Sequence, residues 1–510
     1  MRKVLALVVL LALVASSQPA LALHASDVWP QFRANSQNTG TADGIAPRTG
    51  QVLWSYKLGS PTGSSPAVAD GKVFIGDSAG YVWALDAETG QKLWNYKTFG
   101  AIESSPTYLD GRIYIGSDDD NLTALNASDG HLIWTFKTTG TVKSSASVAQ
   151  IHDNKTGALK TVLVFGSYDN FLYGIDTDGK ELWRFKAASF IHGKPGIYNG
   201  MAFTCTCDRT MYGIDIETGH RAMNVTFGDY SAASPTALNG IVYGTARGGK
   251  VFAVNIQNQS LKWQVDLQKT IESSPAVGNG LVILGDKGSE VVALNNGTGS
   301  KVWSYTANGA VDSSPALVDG MVFIGDGTGY LLALNASTGS KVWDYHSDGA
   351  IDSSPAVAYG KVYFGTEGGT VYAMGSKDPQ VRILAPQPWV KVKDKFLVQV
   401  EVFGTEITTV EVGNDGGNWT KAARNGNAGS SIWELTFDPK DLPNGEHKLY
   451  VRATNATGTG TASTYIVVKK PGHPKPFIPG LDLPTALGAT IFAAVVVQLF
   501  RSNAFKRGRR

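Results

Sequence analysis

The chain has little of what most chemistry is built from. Its 510 residues include 2 cysteines and 8 histidines, and two thiols without matching His or Cys clusters make a weak metal signal. Net charge is nearly absent too: 45 Lys+Arg against 43 Asp+Glu leave +2, and much of that excess sits at the two ends. No nucleic-acid partner follows from such a balance. Helical periodicity is also missing, since no segment in 27–378 repeats its apolar residues at helical spacing, which argues against an α or α/β fold for this stretch.

What is present instead is repetition. "ALNASTGSKVW" at 333–343 returns as "ALNNGTGSKVW" at 293–303, "ALNASDGHLIW" at 124–134 and "ALDAETGQKLW" at 84–94. The anchor positions are Trp54, Trp94, Trp134, Trp183, Met223, Trp263, Trp303 and Trp343, with one interval of 49 and the others 40. Around each anchor runs a longer unit, clearest in "AIDSSPAVAYGKVYFGTEGGTVYAMG" at 350–375. Apolar residues alternate at period two, and Gly-rich turns separate the alternating stretches, so each unit reads as four short strands. A period of about 40 with four strands per unit is that of a propeller blade.

The second strand of the unit is expected to end at Gly76, Gly116, Gly166, Cys205, Gly244, Gly285, Gly325 and Gly365. No Trp segment follows Met374, whereas "TGQVLW" at 49–54 precedes the first Ser-Ser-Pro. The N-terminal strand should therefore complete the last blade and leave no open sheet edge.

The spacing Ala84, Asp86, Gly90, Trp94 fits an eleven-residue tryptophan-docking motif. With it the sequence resembles the pyrroloquinoline-quinone (PQQ) repeat propellers, a family that includes quinoprotein alcohol dehydrogenases and non-enzymatic BamB-like scaffolds. The opening "DVWPQFRANSQNTG" is similar to the lead-in of that family, and the resemblance covers roughly 27–378. It implies that Trp54, Trp94, Trp134, Trp183, Trp263, Trp303 and Trp343 are structural, packed between neighbouring blades near the motif glycine. A residue shared by seven of eight blades cannot be seven cofactor sites, and buried aromatics dominate core energetics.

The same resemblance implies that an enzyme of the family would add adjacent cysteines near the quinone, a Glu, Asn and Asp set for Ca2+, and an Asp base. None of these can be matched here. Cys205 and Cys207 in "FTCTCDRT" are separated by Thr206. On a strand they would share a face about 6.5 to 7 Å apart, at or beyond the edge of unstrained disulfide geometry. They read as two small thiols in a locally altered blade, with a strained disulfide or a metal-binding pair as the sharper readings.

The ends place the molecule. "MRKVLALVVLLALVASSQPALA" at 1–22 has a basic start, an apolar stretch and a small-residue cleavage site, as a secretory signal peptide does. "LDLPTALGATIFAAVVVQLF" at 481–500 followed by a basic tail at 501–510 reads as a C-terminal membrane anchor. The expected topology is single-pass in the cell membrane, with the ectodomain extracellular. Sequons at Asn121, Asn126, Asn154, Asn224, Asn258, Asn296, Asn335, Asn418 and Asn455 are candidate glycosylation sites. At Asn126 and Asn335 the plainer reading is a turn cap.

Residues 379–470 leave the rhythm but keep alternating strands, as in "FLVQVEVF" and "HKLYVRATNATG". Their length and pattern fit a small immunoglobulin-like or fibronectin-like sandwich without the antibody Cys pair. "PGHPKPFIPG" at 471–480 reads as a stiff linker. The fold expected is thus all-β: an eight-bladed propeller of four-stranded blades at 23–378, the sandwich, and a C-terminal transmembrane helix.

The first strand of each blade lines a propeller's axis. The residue just before Ser-Ser-Pro reads Gly63, Glu103, Lys143, His192, Ala232, Glu272, Asp312 and Asp352. Glu272, Asp312, Asp352 and Glu103 form an acidic arc with Lys143 and His192 opposite, a candidate binding ring for a cation, a basic peptide or a polar ligand. The plainer reading is solvated charge at blade starts. "GSDDDN" at 116–121 is expected to face solvent, and "AQIHDNKTGALKT" at 149–161 to project as a longer hairpin or a partner contact.

The function expected is a non-catalytic, surface-anchored scaffold that binds cell-surface or envelope proteins or polar ligands, with no cofactor. The alternatives are a dehydrogenase using PQQ and Ca2+, and adhesion to glycan or protein through the sandwich.

Overall fold

The structure is a computed structural model and describes residues 28–152, 157–404, 406–415, 417–426 and 431–470. The expected signal peptide, linker, anchor, tail and the sequon at Asn154 lie outside the described residues. No helix among the described residues is long and apolar enough to cross a membrane.

Among the described residues, eight units of four antiparallel strands form eight separate sheets. In one unit the strands are Ala316–Val318, Met321–Gly325, Tyr330–Asn335 and Lys341–His346. The first hairpin turns on two residues with positive φ, as at Asp319 (50°) and Gly320 (70°). That geometry suits the twist of a tight hairpin and explains the recurrent Asp-Gly and Asn-Gly pairs. In the third unit the insertion replaces this turn, lengthening the paired strands to Ser147–His152 and Leu159–Gly166.

The two middle strands of each unit are buried on both faces, so they read as continuous apolar runs. The core therefore lies between sheets. Ile283, Val291, Ala293 and Trp303 of one sheet pack against Val322, Ile324, Leu332 and Leu334 of the next.

Each docking Trp closes such an interface. Trp303 sends its indole N–H to the Ala336 carbonyl at 2.9 Å. A Cβ added to Gly339 would stand 2.6 Å from the same indole. Trp54 on Gly90, Trp94 on Gly130 and Trp343 on Gly50 repeat the arrangement around the ring. The exception explains the rule: where Met223 replaces Trp, the next unit carries Gln259 instead of glycine. Without an indole lying on it, that backbone has room for a side chain.

The strand Gln51–Lys57 pairs antiparallel with Thr370–Gly375 and so completes the last sheet, as its position before the first Ser-Ser-Pro requires. Lys57 Nζ reaches Asp348 at 2.9 Å across this closure. Burial alone would raise the Asp348 carboxyl, but hydrogen bonds from Thr370, Lys57 and Thr366 outweigh it and hold its pKa at about 2.

One strand end is corrected. Thr245, paired with Val251, holds the register that Gly76 holds opposite Val82, so the fifth unit's strand ends at Thr245 and not at Gly244. Cys205, opposite Met211, does occupy that register in the fourth unit.

The stretch 29–41 girdles the far ends of the innermost strands. Carbonyls of Trp29, Pro30, Ser36, Gln37, Thr39 and Gly40 accept from the amides of Val68, Tyr108, Ile197, Ala237, Val277 and Leu317, one from each of six sheets. Inner sheet edges leave such amides without ladder partners, and the belt satisfies them. Arg33 and Lys194 are buried inside it. Lys194 Nζ donates to the carbonyls of Phe32 and Asn35, and Arg33 Nη1 to that of Pro315.

Residues 380–468 form two further sheets facing one another. Gln380–Ala385, Phe396–Phe403, Ile432–Phe437 and Ala423–Arg424 make one. Val390–Val392, Thr459–Val468, Gly445–Thr454, Thr409–Asn414 and Trp419–Lys421 make the other. Val398, Val400, Val412, Leu449, Val451 and Ile466 meet between them.

Candidate functional site at the channel mouth

All eight ring positions line one cavity of about 260 Å3, together with Phe32, Lys194 and a circle of serines. The circle follows from the Ser-Ser-Pro repeat. The second serine's hydroxyl accepts from the equivalent amide of the preceding unit: Ser65 to Ser105, Ser105 to Ser145, Ser234 to Ser274, Ser274 to Ser314, Ser314 to Ser354, and Ser354 back to Ser65. Lys194 takes the serine's place in the fourth unit, where its amide still donates to Ser234 but it offers no hydroxyl to Ser145. This hydrogen-bonded collar holds the ring side chains at the entrance. Phe32, on the belt, forms part of the lining.

A second ring stands behind the first, and sequence reasoning missed it. Fifteen residues after Glu103, His192, Ala232, Glu272 and Asp352 come Asp118, Cys207, Arg247, Lys287 and Glu367. Tyr168 is the counterpart after Lys143, displaced by the insertion. The amides of Asp118, Tyr168, Arg247, Lys287 and Glu367 all bond to a carbonyl two residues before a first-ring position. The fixed offset was a readable signal, but only once the second strand's end was known to return to the mouth.

The second ring alters the electrostatics. Arg247 binds Glu272 at 2.7 Å, and Lys287 binds Asp312 at 3.1 Å and Glu272 at 3.6 Å. Lys143 does not face the acidic arc across the channel, as the sequence suggested: it binds its neighbour Glu103 at 2.5 Å and lies 3.9 Å from Asp118. Asp118 thus belongs to the mouth, which corrects the solvent-facing reading of the 116–121 cluster. Its neighbours Asp119 and Asp120 serve the turn, accepting from the amide of Asn121 and from Lys137.

Six carboxylates (Glu103, Asp118, Glu272, Asp312, Asp352, Glu367) then meet three ion-paired cations (Lys143, Arg247, Lys287), while Lys194, also on the lining, gives its ammonium to the belt carbonyls of Phe32 and Asn35. Asp352 and Glu367 have no cation within ion-pair distance among the described residues. Burial and then the charge of Asp312 push the Asp352 carboxyl up, and burial followed by Asp352 does the same to Glu367. Gly63, beside them, leaves the cup open: a Cβ there would be 3.8 Å from Glu367 Oε1.

The opposite arc is aromatic. The Tyr168 hydroxyl and His192 Nδ1 lie 2.7 Å apart. Phe190 stacks on Tyr168 at 4.9 Å, and Lys143 Nζ sits 5.6 Å from the same ring. Burial lowers the His192 pKa and raises that of Tyr168 to about 12, with Glu103, Cys207 and Asp118 adding to the rise. Burial therefore favours the neutral imidazole, which shares this hydrogen bond with the phenol.

Cys205 and Cys207 are free thiols. Burial pushes both up, with Asp208 adding to each, so neither is an activated nucleophile at neutral pH. Among the described residues no three His, Cys, Asp or Glu side chains converge as metal ligands would. Of the sequons, Asn126 and Asn335 cap turns. Asn455 is buried, with its Nδ2 donating to the Lys377 carbonyl at 2.7 Å.

A family profile described as outer membrane protein assembly factor BamB matches residues 38–161, 139–264, 225–311 and 287–457. Among solved structures, BamB from Moraxella catarrhalis is 18% identical with a TM-score of 0.55, covering 64% of this chain and 98% of its own. The quinohemoprotein alcohol dehydrogenase of Comamonas testosteroni is 14% identical with a TM-score of 0.57, covering 71% of this chain and 83% of its own. A computationally designed protein, Ika8, is 19% identical with a TM-score of 0.56, covering 64% of this chain and 100% of its own. No curated protein matches the chain.

Proposed function

The chain belongs to the PQQ-repeat, BamB-like propeller family, and from that premise we propose that it is a non-catalytic binding scaffold: an eight-bladed propeller whose channel mouth receives a cationic group of a protein or peptide partner. A fold shared by an assembly factor, a dehydrogenase and a designed protein does not carry an activity, so the site must. The observation that carries the reading is the unmatched acidic corner at Asp352 and Glu367, open beside Gly63 and facing the Tyr168–His192–Phe190 wall. A cationic head with an apolar stem fits both sides. We place the scaffold at the cell surface, carried on an immunoglobulin-like module and a C-terminal anchor at 481–500, on the strength of the two apolar terminal runs.

The quinone reading has less support. PQQ is itself a tricarboxylate, and the mouth holds six carboxylates whose three cations are already engaged. The residues present do not fit the quinone and its Ca2+.

Two titrations of the full chain test the proposal. An oligolysine peptide should bind, and the triple change Glu272→Gln, Asp312→Asn, Asp352→Asn should weaken it about tenfold or more; unchanged affinity would remove the ring from the site. PQQ with and without Ca2+ should give no saturable binding. Ca2+-dependent binding near one equivalent would overturn the scaffold reading in favour of the dehydrogenase.

A further inference from the structure

The second module has an outer face that its own packing does not explain. In the sheet built from Val390–Val392, Thr459–Val468, Gly445–Thr454, Thr409–Asn414 and Trp419–Lys421, one side of each strand enters the core and the other faces out. Four large rings stand on or beside the outward side: Trp389 at 51% exposure, Tyr465 at 40%, Tyr450 at 37% and Trp419 at 37%. Contiguous exposed aromatic surface on a soluble domain marks a contact site more often than it marks accident.

The rings form a row across the sheet. Trp389 stacks on Tyr465 with centroids 4.6 Å apart and planes 4° from parallel. Tyr465 pairs with Lys448, whose Nζ lies 5.7 Å from its ring and 5.0 Å from that of Tyr450. Gly413 is the register partner of both Tyr450 and Trp419. A Cβ on Gly413 would stand 2.8 Å from the Trp419 indole, so the missing side chain lets that indole lie down over the strand. Arg452 holds it from beside, its guanidinium carbon 4.1 Å from the ring centroid and its Nε bound to Glu411 at 2.7 Å. From Tyr465 to Trp419 the row crosses three strand spacings, about 14 Å.

Trp389 stacks on Tyr465 and Trp419 is held by Arg452, contacts that reduce the side-chain entropy left to lose on binding. Tyr465, Tyr450 and Trp419 stand on strands of one sheet face and Trp389 on the turn that leads into Val390–Val392, so the row suits an extended, flat-faced ligand lying across the strands. Between the rings are small hydroxyls, with Ser463 opposite Tyr450 and Thr461 opposite Arg452. The charge on this face is positive by one: Lys391, Lys421, Lys448 and Arg452 against Glu411, Glu446 and Asp415, of which Asp415 is taken up by the backbone amide of Lys448, while Lys448 Nζ has no carboxylate within ion-pair distance among the described residues. Stacking surfaces for the C–H faces of sugar rings, hydroxyl partners and an unneutralised ammonium together select one chemistry.

We propose that the row Trp389–Tyr465–Tyr450–Trp419, with Lys448 at its centre, is a binding platform for an acidic polysaccharide, the sugar rings lying on the aromatic side chains and a uronate carboxylate meeting Lys448. This site is independent of the channel mouth.

The test is calorimetric titration of the full-length protein with polygalacturonate, using dextran, polyglutamate and anionic phospholipid vesicles as comparisons. Polygalacturonate should bind best, Trp419→Ala and Tyr450→Ala should each weaken it about tenfold, and Lys448→Gln should weaken it while reducing the preference over dextran. Because the alanine variants could disturb the sheet, Lys448→Gln, at a side chain outside the core, is the deciding change, with thermal unfolding as the control. The triple variant at the mouth should leave polygalacturonate binding unchanged. Equal binding of polyglutamate would reduce the site to bare charge, equal binding of dextran would remove the role of Lys448, and binding of vesicles alone would make it a lipid surface; each overturns the proposal.

Discussion

The interface closed by Trp303 and the one filled by Met223 solve the same packing problem differently. Trp303 lies on Gly339 and bonds the Ala336 carbonyl. At the other, Met223 packs with Phe227 and Phe252, whose rings stack at 4.6 Å, and Gln259 stands at the glycine position with φ of 53°. Docking is thus a two-residue device spanning two units, and losing the indole releases the glycine. The same sector also loses the collar serine at Lys194 and the strand-end glycine at Cys205 and Thr245. It carries the aromatic wall of the mouth as well. Regular units build, and relaxed ones vary.

The largest effect should come from breaking the pairing on the regular side. Gly339→Ala meets both the Trp303 indole and a φ of 72°, and should cost about 2–5 kcal/mol. Gln259→Gly at the relaxed interface should change stability by no more than about 0.5 kcal/mol, since relief at positive φ offsets the added chain entropy. Denaturant unfolding of the two variants measures both, and equal effects would end the distinction.

A smaller effect is expected at the ring closure. Asp348 has a folded pKa of about 2, below its ordinary 3.8. Its stabilisation is therefore fully present above the ordinary value and is lost as pH falls through about 2. Asp348→Asn should cost about 1–2 kcal/mol at pH 7, and the difference from the parent should shrink between pH 4 and about 2 in a pH series of unfolding curves.

The smallest effect should have the opposite sign. The raised Asp352 carboxyl opposes folding once it ionises, so its contribution improves as pH falls. Asp352→Asn should stabilise the fold slightly at pH 7, by no more than about 0.5 kcal/mol, read as a small rise in melting temperature, and not at low pH. A loss of stability at pH 7 would mean that this carboxylate has a structural partner.

Reading the period located the sheets, the closing strand and the docking Trp residues, because strand alternation and turn chemistry act within a few neighbours. It also brought the first ring to one mouth, since equivalent positions in a closed repeat must lie at equal height. The ion pairs there were not legible. Lys143 binds Glu103 and not the far arc because adjacent units bring those side chains together, while a channel separates opposite ones.

What the sequence by itself determined is the architecture: forty-residue units, each with a stripe to bury and a Trp or Met to bury it with. Tertiary structure alone decided what the entrance presents. The belt of 29–41, the second ring arriving fifteen residues late, and the row on the sandwich face are made by segments distant in the chain. Charge and ring contacts fall off over a few ångströms, so only the folded arrangement selects which groups meet.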